Sequence, residues 1–344
     1  MTVYQACILS YMSRYGALVA LLALSPVLFF AACSAQDGGG RPADSSGQPD
    51  HLQVNSKGLV ERIGGRERVL VSTQEGAYVN GVAVSPDNKR LAFVLQLPAT
   101  TNVKGDIDFG ADLYVSNRDG SDRKEIIHHS RNGEFIFAPA WLPDGQGLVY
   151  VVRGRDQVGL PDFRLESFDL RSGKRTRLIE HAVDAGLGRD GKSVAYVYYD
   201  PDSNEGEQFL LGELGSSAHP RLLVPLEQGL VLIQSPVFSP DGSKIAFAAS
   251  NLYARQPAPR APGLFASAVH PTLQDIWVVN RDGSNLRKLA EIVESQPSVD
   301  WSADGKFVYA LGGSGFWKIE LATGAYQQIG PGEPGGLIKV LDSN

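Results

Sequence analysis

The sequence predicts an all-β fold, a six-bladed β-propeller of four-stranded antiparallel blades whose ring is closed by the N- and C-terminal strands. Three observations predict it. One segment ending in an Asp-centred turn recurs five times, each copy is followed by further short strands, and strand segments without a partner remain at both chain ends. A repeat of about 40 to 45 residues with four strands per unit marks a blade array.

The inner strand opens each unit. Residues 82–88, 139–145, 185–191, 236–242 and 299–305 are copies of one segment, anchored by Asp87, Asp144, Asp190, Asp241 and Asp304. In such a turn Pro pre-sets φ, Asp caps its own backbone and Gly or Asn accepts positive φ, so the segment reads as a strand entering a hairpin. Three residues before each Asp stand Val84, Trp141, Leu187, Phe238 and Trp301. An alternating strand can place these bulky apolar side chains between neighbouring blades.

The second strand follows at residues 91–93, 148–150, 194–196 and 245–247; in the fifth copy, 307–309, the aromatic shifts by one place. Two more strands come each time. In the first copy they are 112–117 and 123–127, in the fourth 275–280 and 286–289, and residues 163–179, 209–224 and 316–329 complete the others. The roughly 290 residues after the N-terminal tether suffice for six units of about 45, and five are visible. The sixth is expected to be composite, with outer strands at 58–63 and 66–73 and an inner strand at 337–341. The two chain ends would then remove the ring's open edge; an open five-blade array is the alternative.

The Ser239-Pro240-Asp241-Gly242 turn with Ile245-Ala246-Phe247, then Ile276-Trp277-Val278 and Asn280-Arg281-Asp282-Gly283, resembles the TolB-type WD-like propeller repeat, over roughly residues 57–344. The resemblance implies a propeller of the cell envelope. Such blades also occur in oligopeptidase caps and sugar lyases, so the fold by itself does not set the function. TolB proteins carry a small α/β domain ahead of the blades, where this chain has a tether.

The N-terminus reads as an address. Residues 16–32 are apolar and uncharged, preceded by Arg14 as the one charge and followed by Cys33 and a polar stretch. This is the layout of a signal peptide. Phe30-Ala31-Ala32-Cys33 resembles a bacterial lipobox, in which the cysteine becomes the lipidated N-terminus; Phe30 departs from the usual Leu. The expected organisation is a lipoprotein signal peptide at 1–32, the lipidated Cys33 and a flexible tether at 33–56, and the propeller at 57–344. An uncleaved anchor helix is the alternative, because this uncharged run of 17 residues sits at the lower limit of a membrane span. A start at Met12 would give a signal peptide of usual length and leave Cys7 outside the protein. Residues 34–50 hold too few apolar side chains to offset their ordering entropy.

Composition narrows the partners. Hydrophobic residues at 43% and charged residues at 20% fit a globular domain. A formal net charge of −6, which becomes −7 without Arg14, and the lack of a basic stripe argue against nucleic acid and against attraction to anionic lipid. The acyl chains would have to hold the protein at its membrane. The only cysteines are Cys7 and Cys33, so the folded part has no disulfide. No cofactor is expected, and the protein is expected to be a monomer.

Up-and-down blades place the first and third connections of every blade on one rim, and the second connections and inter-blade links on the other. The second connections are long, at 96–111, 153–162, 200–207 and 250–274, so this rim is the expected working face. Asn80, Asp184, Gln234 and Gln296 enter the innermost strands from it, a polar set suited to an extended peptide or chain end. The competing reading is that they satisfy strand-end amides. His128, His129, His181 and His270 fall in the same connections. From separate blades, His128, His181 and His270 could converge on a metal, as in sugar lyases on similar blades; the competing reading is surface histidines, with His128 and His129 pointing opposite ways in a strand. Residues 186–191 match a dinucleotide fingerprint, but they lie in a strand and hairpin with no helix to follow. No nucleophile elbow exists, since residues 312–316 lack the second glycine, and no hydrolase domain is expected within these 344 residues. The expected function is a membrane-anchored extracytoplasmic propeller that binds a protein or peptide of the cell envelope. The enzymatic alternative is a metal-dependent polysaccharide lyase.

Overall fold

The computed structural model describes residues 47–341, apart from 74–75, 102–106, 131, 157, 201–205, 217 and 253–272. The expected signal peptide, Cys33, the tether as far as residue 46, and His270 lie outside the described residues.

Six four-stranded antiparallel sheets form the fold. Blade 1 holds Tyr78–Val84, Arg90–Gln96, Ala111–Asn117 and Lys124–Ile127, and blade 2 holds Phe135–Trp141, Gly147–Arg155, Pro161–Asp169 and Arg175–Glu180. Blade 3 holds Ala182–Leu187, Ser193–Tyr198, Gln208–Glu213 and Arg221–Leu222; blade 4 holds Leu230–Phe238, Lys244–Asn251, Leu273–Asn280 and Arg287–Ser295. Blade 5 holds Ser298–Trp301, Phe307–Leu311, Gly315–Glu320 and Tyr326–Pro331. Blade 6 is composite, with Ile338–Val340 innermost, followed by His51–Asn55, Gly58–Ile63 and Arg66–Ser72. The open five-blade alternative is therefore excluded.

Blade 6 contains one strand more from the N-terminal side than the sequence reading gives it. His51–Asn55 lies within the span read as tether, yet it pairs with Ile338–Val340 on one side and Gly58–Ile63 on the other. Its alternation is masked because polar His51 and Gln53 are buried along with Leu52 and Val54. His51 is satisfied locally, with Nδ1 2.6 Å from the Pro49 carbonyl.

The Asp-centred turns show why the repeat needs its residues. Asp87, Asp144, Asp190, Asp241 and Asp304 each accept the amide two residues on, at 2.8 to 3.1 Å. In three copies the serine two places earlier donates its hydroxyl to the same carboxylate, at 2.5 to 2.7 Å. That hydroxyl also accepts the amide that opens the second strand. One Asx-type turn is thereby tied to both strands of its hairpin.

Blades join through these same segments. Trp141 Nε1 donates to the Ala83 carbonyl of blade 1 at 3.3 Å, and Trp301 Nε1 to the Val237 carbonyl of blade 4 at 3.0 Å. Gly186 lies so close to blade 4 that a Cβ would stand 2.0 Å from the Pro236 carbonyl oxygen. The glycines of the fingerprint-like segment thus serve blade contact and the turn, where Gly191 has φ +68°. Six apolar clusters fill the six seams between neighbouring blades. The blade 5–blade 6 seam contains Tyr309, Leu311 and Phe316 with Ile338 and Val340. Blade 2 adds a buried ionic cluster in which Arg164, 5% exposed, contacts Glu166 at 2.6 Å, Asp162 at 2.7 Å and Glu134 at 3.1 Å.

Candidate functional site

The inner strands are regular toward the Asp turns and irregular toward the opposite rim. Register shifts fall at Val79/Gly81, Phe137/Ala140 and Ala182/Asp184, and twice in blade 4, at Val231/Gln234 and Gln234/Val237. Non-glycine residues at or beside these shifts adopt positive φ: Ala138 (46°), His181 (58°), Leu232 (54°) and Ser235 (51°). Each such residue costs on the order of 1–3 kcal/mol, and both such strain and bulges concentrate at functional positions. The second connections on this rim are 97–110 in blade 1, 199–207 in blade 3 and 252–272 in blade 4. In blade 2 the strands extend to Arg155 and Pro161, so the connection read as 153–162 shrinks to 156–160.

Bulging brings charged groups of blades 2 and 3 together with backbone amides of blade 4. Arg153, at the rim end of a blade 2 strand, donates from Nε to the Val183 carbonyl at 2.5 Å and stacks over the Phe137 ring at 4.5 Å. Its guanidinium is 3.9 Å from Asp184 Oδ2, and that oxygen accepts the Ser235 amide of blade 4 at 3.0 Å. Glu207, at the end of the blade 3 connection, accepts the Ile233 amide on Oε2 at 3.3 Å. Its Oε1 is shut off from solvent and has no hydrogen-bond partner among the described residues. Two carboxylates therefore face one guanidinium. Burial raises the pKa of Asp184 despite Arg153 and the Ser235 and Ala185 amides. Burial likewise raises Glu207, partly offset by the Ile233 and Leu232 amides and Arg153. The arrangement is a desolvated, unmatched negative charge suited to a cationic group.

Of the four residues read as a ligand-binding set, Asp184 and Gln234 meet at this seam. Gln234 donates to Gln274 Oε1 at 2.9 Å, and Gln274 in turn donates to the Leu232 carbonyl. Asn80 lies in blade 1, where it donates to Gln96 at 2.9 Å. Gln296 is exposed in the link between blades 4 and 5, with φ 49°. Arg153 and Glu207 escaped the sequence reading. Arg153 leaves a trace, a charge closing the apolar run 148–152, whereas Glu207 sits in a polar loop and leaves none.

The histidines are arranged differently from the expectation. His128 and His129 do not point opposite ways: they follow the last strand of blade 1, and their rings lie 4.3 Å apart. Both reach Asp112, His128 Nδ1 at 3.2 Å from Oδ2 and His129 Nδ1 at 2.7 Å from Oδ1. His129 is clamped on its other side by Asp108, with Nε2 2.8 Å from Oδ1. Burial works against its charged form, but the two carboxylates prevail and raise its pKa. His181 lies at the start of blade 3, against Tyr198; among the described residues it belongs to no metal-ligating group.

No protein-family profile matches the chain. Dipeptidyl-peptidase 5 of Porphyromonas gingivalis is 23% identical over 339 residues, which cover 74% of this chain and 48% of that protein. The chain thus spans about half the length of this curated relative. The crystal structure of TolB from Acinetobacter baumannii aligns with a TM-score of 0.56 at 17% identity, covering 87% of this chain and 68% of that one. A chain of a nidogen/laminin complex aligns with a TM-score of 0.58 at 11% identity, covering 86% and 100%. The protein is a six-bladed propeller structurally related to TolB at low sequence identity. No helix among the described residues is long and apolar enough to cross a membrane.

Proposed function

We propose that this propeller is an extracytoplasmic binding module, exported and lipid-anchored through Cys33, that receives a cationic group of a protein or peptide partner at the seam of blades 2, 3 and 4. The observation that carries the reading is Glu207 Oε1, a desolvated carboxylate oxygen without a partner among the described residues, beside Asp184 and a single Arg153. A Lys, an Arg or a free N-terminal amine would supply the missing donor and charge. Bulges and positive-φ residues hold this seam in a shape that regular strands would not adopt. The lipobox-like segment and the likeness to TolB support the envelope setting.

The test is a peptide array probed with the purified protein, comparing the wild type with Glu207→Gln and Asp184→Asn. Binding should favour peptides bearing Lys, Arg or a free α-amine, and that preference should vanish in Glu207→Gln. An array with no cationic preference, or the same preference in wild type and variant, refutes the reading.

A further inference from the structure

On blade 1, away from the seam just described, a second constellation belongs to no assigned function. We propose that His128 Nδ1, Asp112 Oδ2 and Glu125 Oε1 form a binding site for a divalent first-row transition cation, with Zn²⁺ and Mn²⁺ as its chemical class. The three residues each offer one ligand atom, and these atoms lie within 4.8 Å of one another. His128 Nδ1 is 3.2 Å from Asp112 Oδ2 and 3.6 Å from Glu125 Oε1. Ligand atoms bound to one ion at about 2.0–2.2 Å stand about 3.0–3.6 Å apart, so both spacings fit an ion seated between them.

The supporting contacts select which oxygens face the ion. Asp112 Oδ1 is held by the His129 amide at 2.8 Å and by His129 Nδ1 at 2.7 Å, which leaves Oδ2 to His128. Glu125 Oε2 accepts the Tyr114 hydroxyl at 2.9 Å, which leaves Oε1 to His128. Such outer contacts fix the orientation of a metal's ligands. Asp108, His128 and His129 also offer ligand atoms within 4.8 Å of one another, but both ring nitrogens of His129 already contact carboxylates, so the site is placed on Asp112, Glu125 and His128. The burial is asymmetric: the Asp112 side chain is 5% exposed, Glu125 42% and His128 55%. An ion would be anchored from below and open above, where water or an acidic group of a ligand completes its shell. One imidazole and two carboxylates suit Zn²⁺ or Mn²⁺ better than Cu(I), which prefers sulfur. This constellation differs from the convergence of His128, His181 and His270 expected from the sequence, because all its donors come from one blade.

The experiment is titration calorimetry of the chelator-treated protein with Zn²⁺ and, separately, Mn²⁺, alongside elemental analysis after dialysis. One equivalent of at least one ion should bind. His128→Ala and Asp112→Asn should abolish that binding, and Glu125→Gln should weaken it. Tyr114→Phe, which touches no ion, should lower affinity about 10- to 100-fold as expected for an outer contact, while His181→Ala changes nothing. Melting temperatures separate lost ligands from lost folding, and His128 is exposed enough for its replacement to leave the fold intact. No stoichiometric uptake of either ion overturns the proposal, as does uptake that persists unchanged in His128→Ala.

Discussion

Removing residues 336–344 takes away the inner strand of blade 6 and should unravel the whole ring. Ile338 and Val340 are 6% and 8% exposed and belong to the blade 5–blade 6 seam. Burial of each is worth about 1.5–3 kcal/mol, or roughly 3–6 kcal/mol together. The strand also donates the Ile338 amide to Ser298 at 3.1 Å and the Val340 amide to Asp300 at 2.8 Å, and its ends bond Val54 and Asp50 at 2.9 Å. Four hydrogen bonds at about 0.5–1.5 kcal/mol each add roughly 2–6 kcal/mol. The sum of about 5–12 kcal/mol is comparable to the whole stability of an ordinary domain, about 5–15 kcal/mol. Urea unfolding followed by tryptophan fluorescence, with size-exclusion chromatography, measures the effect. The truncated chain should be unfolded or recovered as a strand-exchanged oligomer, and Ile338→Ala alone should cost about 2–5 kcal/mol. A truncated monomer with the wild-type midpoint and slope would refute ring closure as a source of stability.

Replacing Arg164 by Met leaves Glu134 with Arg175 only at 3.9 Å, while Arg175 still pairs with Glu166 at 2.8 Å, and should cost up to about 3–5 kcal/mol in a urea titration; a loss below 1 kcal/mol would show the Arg164 contacts to be dispensable. Acid sensitivity follows from the Asp turns: hydrogen bonds from Ser239 and the Ser243 amide hold the Asp241 pKa down at about 2, against about 3.9 unfolded. A depressed carboxylate stabilises above the unfolded value and loses that contribution as pH falls toward the folded one. Melting temperature should therefore drop between pH 4 and pH 2, less so in Asp241→Asn, and an equal drop in both would count against the turn. Glu207 has the opposite sign, since its folded pKa is raised, so stability falls as pH rises from about 4. Glu207→Gln should hence be at least as stable as the wild type at pH 7 while losing cationic binding, and a clearly destabilised variant would mark Glu207 as structural. Detergent partitioning of wild type and Cys33→Ala tests the anchor: the wild type should enter the detergent phase and the variant should not, whereas equal retention of both would favour an uncleaved helix.

The ring was legible because its determinants are local. Asp87, Asp144, Asp190, Asp241 and Asp304 each cap a turn within two residues, so sequence spacing carries the geometry, and five copies fix the repeat. The composite blade could be read from strands left over at both ends. His51–Asn55 could not, because its buried His51 and Gln53 break the apolar alternation on which strand assignment rests. The candidate site was half legible. Asp184 and Gln234 lie in inner strands, polar positions that the sequence shows, but the way blades 3 and 4 join there depends on bulges and on Leu232 and Ser235 at positive φ, which no composition signal announces. Glu207 matters through its desolvation, a property of three assembled blades. Period-two alternation does not hold for His128 and His129 because the strand stops at Ile127.

Photo-crosslinking in intact cells tests most directly whether the long-connection rim is the binding face. A photoreactive side chain is introduced at Leu160 and Leu252, exposed by 44% and 48% on that rim, and at Lys89 and Lys306, exposed on the rim of the Asp turns. Discrete partner adducts should form from Leu160 or Leu252, be absent from Lys89 and Lys306, and disappear when Glu207→Gln is added. Adducts confined to the Asp-turn rim, or indifferent to Glu207, would contradict the account.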